Sequence, residues 1–184
     1  AKAQSASCPT RSTSIVFLED EAWASVEGLD RPGYENAILQ VRAALGCLSE
    51  PVTIAAAAAM HRAEALSAVM NEDHASAVLS FRAALRLEPA WTLPATLGTD
   101  GGPFASAYFE ASVPNRASPE PVATVGRLRS FLDGAPVSQR FRALPVVFQY
   151  VGTDNVPTWS GYLRAGQDPP APPYVADTGR SRRH

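Results

Sequence analysis

The amino-acid sequence predicts an α+β chain, with antiparallel helical hairpins first and a small antiparallel β unit after them. Three observations carry this. Between Ser14 and Leu87 the apolar residues recur at spacings of three and four, the helical period. The string Arg-Ala-Ala-Leu occurs at 42–45 and again at 82–85, near the ends of two helical pairs. Beyond the prolines at 114, 119 and 121 the period falls to two, and an Asp-Gly turn signal appears.

The elements follow in order. Residues 1–13 read as an extended arm. Ser14 can cap a helix that carries Ile15, Leu18, Ala22, Trp23 and Val26 on one side. Gly28 ends it, and Leu-Asp-Arg-Pro-Gly at 29–33 is turn chemistry. A second helix runs over 34–45, with Ala37, Ile38, Val41 and Ala44 on its apolar face. Pro51 suits the first turn of a third helix, which continues through the alanine run at 55–59 to Met70. Asp73 can cap a fourth helix over 74–87, which stops at Glu88-Pro89. The stretch GTDGGP lacks a following lysine and a preceding strand, so it reads as a turn and not as a phosphate loop. A short fifth helix over 104–111 carries Phe104, Ala107, Tyr108 and Ala111 on one face.

In the β region, Val125, Arg127, Arg129 and Phe131 alternate with Gly126, Leu128, Ser130 and Leu132. Asp133-Gly134 signals a hairpin, 145–151 a strand, 152–155 a turn and 158–164 a further strand. The organisation is therefore an arm (1–13), a helical domain (14–112), a linker (113–123), a β unit (124–166) and a flexible Pro/Arg tail (167–184).

Bulk properties exclude several classes. The chain has 184 residues, 46% hydrophobic, and a net charge of −2, which suits a folded protein and offers no basic nucleic-acid surface. No apolar run is long enough to span a membrane. The arginine-rich end is expected to lead toward an anchor beyond His184. No G-x-S-x-G elbow and no P-loop occurs, and Lys2 is the only lysine. No catalytic residue, metal ligand or cofactor is assigned. His61 and His74 lie outside any metal-binding spacing and are expected on a helix surface or in a groove; His184 belongs to the tail. Glu19, Asp20 and Glu21 are explained by a helix dipole.

Cys8 and Cys47 are either two free thiols or a disulfide. A disulfide closes a loop worth about 4 kcal/mol in the chain-entropy account. Ala1-Lys2-Ala3 has the A-x-A form of a signal-peptide end, which favours export and the bridge.

Two groups of residues are candidate sites. Arg42, Arg62, Arg82 and Arg86 are expected to form a basic stripe for a protein partner, suited to an acidic peptide or a C-terminal carboxylate. Trp91, Phe104, Tyr108 and Phe109 cluster beyond the helical pairs, either closing the core or lining an apolar groove.

The helical pair ending at Pro89 resembles a tetratricopeptide repeat. Aligning Pro89 with the family's signature proline puts Ala65, Ala77, Phe81 and Ala84 at its small, alanine, aromatic and alanine positions. His61 and Ala68 depart from its usual aromatics. Ala37, Val41 and Ala44 stand 40 residues before their counterparts, with Ser25 at the small position. "FLDGAP" and "WSGYLRAG" give the β unit a likeness to PEGA or carboxypeptidase-regulatory modules. The resemblance implies a non-enzymatic protein-binding module of an exported or envelope-associated bacterial protein, in the periplasm or cell envelope. The alternative is a small-ligand carrier or sensor with an apolar pocket between helices and β unit.

Overall fold

The computed structural model describes residues 8–98, 101–114, 118–122 and 128–172. The A-x-A start, the first half of the first expected strand and His184 lie outside them. The described residues form α1 (Ser12–Glu27), α2 (Arg31–Gly46), α3 (Ile54–Met70), α4 (His74–Leu87) and α5 (Pro103–Ser112). Five strands follow: β1 (Glu120–Pro121), β2 (Arg129–Leu132), β3 (Gln139–Arg140), β4 (Val146–Val151) and β5 (Pro157–Leu163). Helices precede antiparallel sheets of two and three strands, so the fold is α+β. Among the described residues no helix is long and apolar enough to cross a membrane.

Caps explain where the helices begin. α1 starts at Ser12, ahead of the expected Ser14, because Glu50 Oε1 accepts the Ser12 N–H at 3.0 Å from across the fold. The stretch expected as a turn before Tyr34 is already helical: Asp30 accepts the Gly33 N–H at 3.1 Å, and Pro32 occupies the first turn. Thr53 caps α3 through the Ala56 N–H, so Pro51 lies outside that helix. Asp73 caps α4 as expected, accepting the Ser76 N–H at 3.1 Å.

The arm is tied to the end of α2. Thr10 exchanges backbone hydrogen bonds with Cys47 and Ser49, its hydroxyl donates to the Ala44 carbonyl, and Cys8 and Cys47 form a disulfide.

α1 pairs with α2 and α3 with α4, and α3 runs through the middle. Its alanine run is buried from Ala56 to Ala59 because helices lie on one side and β4 on another. The small residues Ala37, Ala44, Ala65, Ala77 and Ala84 are all buried, which lets neighbouring helices approach closely, and Phe81 fills the space between them.

The three-stranded sheet has the order β2-β4-β5, with Leu132 opposite Phe148 and Phe148 opposite Gly161. The Asp133-Gly134 turn is tight but does not join neighbouring strands. It closes on Ala135, and the chain then enters β3 before returning as β4. β3 pairs with β1, which lies inside the expected linker: Glu120 faces Arg140. The start of the tail is also held, since Tyr150 Oη donates to the Pro170 carbonyl and Arg142 pairs with Asp168. Every β4 residue is buried because the strand is the central one of its sheet and packs against α3, and Val147 belongs to the helical core.

Candidate functional site

The β unit is latched to α3 by buried polar groups. Gln149 Oε1 accepts the Val52 N–H at 2.8 Å, just ahead of α3, and Gln149 Nε2 donates to Ser160 Oγ. Gly134 takes a positive φ of 88° against the same segment; a Cβ there would lie 2.8 Å from the Val52 carbonyl oxygen, so only glycine fits.

His61 is wholly buried at the centre of the seam, not on a helix surface. It shares the face of Ala57 and Ala65, one turn away on either side, which is the sequence signal for that burial. Asp133 Oδ1 accepts from His61 Nε2 at 2.9 Å and from the Val147 N–H at 2.8 Å. With Nε2 protonated, Nδ1 is the acceptor for the Tyr162 hydroxyl at 3.1 Å. The Tyr162 oxygen in turn lies 3.2 Å from Ser80 Oγ. Burial pushes the Tyr162 phenol well above its ordinary value, so it keeps its proton. His61 does not reach Ser80 directly: the tyrosine stands between them. The chain Asp133–His61–Tyr162–Ser80 thus binds β5 and the Asp-Gly turn to α3 and α4.

The four candidate arginines do not form one stripe. Arg42 pairs with Glu64 through two hydrogen bonds of 2.7 and 2.8 Å. Arg62 is only 6% exposed and is already occupied: Glu19 accepts from Nε and Nη2 at 2.8 and 3.1 Å, and Glu88 accepts from Nη1. Glu19 is therefore not a helix-dipole acid. It sits on the buried face of α1, also accepts the Trp23 N–H at 2.6 Å, and burial raises its pKa against the pull of Arg62. Arg82 donates to the Glu110 and Ala111 carbonyls at the end of α5. Arg86 stacks over the Phe141 ring at 3.6 Å, and no acid pairs with it among the described residues.

The candidate aromatics divide as well. Trp91, Phe104 and Tyr108 interlock with Trp23 and Phe81, with ring centroids about 6 Å apart, and close the helical core. Trp91 lines none of the three openings described below. Phe109 stays 56% exposed.

Openings lie along the seam instead. A polar cleft of about 540 Å³ between the α3–α4 turn and β5 is lined by Arg42, Glu64, Asn71, Tyr162 and Arg164. A groove of about 370 Å³ between α4 and α5 is lined by Arg82, Leu85, Arg86, Tyr108, Val113 and Leu144. Arg86 and Leu144 also border a cavity of about 270 Å³ between α4 and the β unit. Two candidate arginines and one candidate aromatic thus meet in one groove, while Arg42 and Arg62 lie elsewhere. Phe141, Arg140 and Leu144 were missed, because a stretch between two strands gives no periodic signal.

Fold and site define a two-part α+β protein: helical hairpins latched to a small β unit, with openings along the seam. The chain matches no protein-family model, no curated protein and no solved structure.

Proposed function

We propose that this is a non-enzymatic interaction module of an exported or envelope-associated bacterial protein, in which tetratricopeptide-like hairpins hold a partner in the α4–α5 groove. The observation that carries it is Arg86, which no acid pairs with among the described residues, beside apolar walls, with Arg82 next to it on the helix. Val113, on the same wall, is 60% exposed. The complementary partner is an extended, apolar peptide segment bearing an acidic group. The Cys8–Cys47 disulfide supports an oxidising compartment.

A photo-crosslinking residue at Val113, with one at Leu39 on α2 as a control, tests this in producing cells. The expected result is a discrete protein adduct from Val113, absent from Leu39 and lost with Arg86→Glu. Equal adducts from both sites, no adduct, or one indifferent to Arg86→Glu overturns it.

A second reading, a small-ligand carrier or sensor, is favoured by the 270 Å³ cavity between α4 and the β unit, whose wall is mostly apolar.

A further inference from the structure

We propose that the cavity between α4 and the β unit is a carboxylate site, in which Arg140 grips the acid group of a small molecule with an apolar body. The proposal rests on the second reading above and adds the chemical class of the ligand. Arg140 borders the cavity and is 7% exposed. Its Nη1 donates to the Gln167 carbonyl at 2.8 Å. Its Nε and Nη2 are shielded from solvent and have no acceptor among the described residues. Unanswered N–H groups inside a protein are costly, and most buried ones are met by a partner. Nε and Nη2 form an edge that a carboxylate can meet with two parallel hydrogen bonds.

The neighbouring acids do not fill this role. Asp133 is committed to His61 and to the Val147 N–H. Asp168 is paired with Arg142 at 3.1 Å. Glu120, exposed on β1, acts on Arg140 only through its charge. Burial, and then repulsion from Arg142, hold the Arg140 pKa below its ordinary value; a bound anion offsets both. Arg86 supplies a second cation in the same wall, fixed over Phe141. Ile54, Leu132, Leu144 and Val146 make the wall apolar. The match is one carboxylate on a short aliphatic or aromatic body; a sugar or a nucleotide would leave its polar groups unanswered there. Because both nitrogens are shielded, the wall must yield to admit the acid. Val137, 40% exposed and outside any strand, borders the same cavity.

Hexanoate and its neutral counterpart hexanamide are the probes, titrated into the intact protein by calorimetry and by amide NMR. Hexanoate is expected to bind about tenfold tighter or more, the worth of a charge-assisted hydrogen-bond pair. The amides of Ala83, Leu132 and Val146 are expected to shift. Arg140→Gln is expected to abolish the preference and leave hexanamide binding unchanged. Should that variant not fold, Arg86→Gln is expected to weaken hexanoate severalfold, and the wild-type comparison stands without either variant. Equal binding of the two probes sinks the carboxylate site while leaving the small-ligand reading intact. If neither probe shifts the cavity amides, both are overturned.

Discussion

Arg62 and Glu19 are a charged pair in a place that the helical period reserves for apolar side chains. Glu19 lies on the face of α1 that buries Ile15, Ala22 and Trp23, and it is tolerable there only because Arg62 and the Trp23 N–H saturate its oxygens. Removing one partner leaves the other charge buried and alone. Arg62→Ala is expected to cost about 3–5 kcal/mol, read from the urea midpoint. Arg31→Ala, which breaks the exposed pair with Glu35, is expected to leave the urea midpoint essentially unchanged. Sequence spacing points only to the weaker of these pairs. Arg31 has Glu35 four residues on, whereas Arg62 has no acid three or four residues away, and only the packing of α1 against α3 shows that it meets Glu19 and is enclosed.

At the scale of elements, capping decides where helices start. Asp73 holds the first turn of α4 by accepting from Ser76, and these hydrogen bonds lower its pKa. Asp73→Ala is expected to destabilise the protein by about 1 kcal/mol near neutrality. A carboxyl whose pKa is lower in the folded state contributes stability above its unfolded pKa and loses it as pH falls through the folded one. The gap between wild type and Asp73→Ala in denaturant melts is therefore expected to shrink in acid, below the ordinary aspartate range. Most of the helices were legible because each buries a stripe repeated over several turns, and α3, buried nearly all round, because its alanine run is a strong helix former. Asp30 was missed as a cap because Pro32-Gly33 reads as a turn, and Thr53 because Pro51 reads as the first turn of the helix itself. β1 and β3 were illegible: two residues cannot display a period, and their pairing joins segments on either side of β2.

Over the whole molecule, the links that matter join distant residues. His61 meets Tyr162 and Arg86 meets Phe141, separations at which no local pattern exists, so the seam and its cavities had to be found in space. The covalent link is different. Cys8 and Cys47 are brought together by the arm and the end of α2, and the bridge encloses 39 residues of separation. The double variant Cys8→Ser/Cys47→Ser is expected to lose up to about 4 kcal/mol, with a lower unfolding temperature. The native protein is expected to resist alkylation until reduced, which intact mass reads directly.

The hydrogen bond from the Val52 N–H to Gln149 has a consequence in time. It spans 97 positions, whereas the two helical hairpins close over short loops. Loop-closure entropy favours the hairpins as the early structures and makes the β unit's arrival late. A growing chain thus carries a helical half with a bare flank along α3, where His61 and the alanine run wait for the final strands. During that interval the half-built molecule is open to misassociation, and the Asp133-Gly134 turn, landing against Val52, ends it.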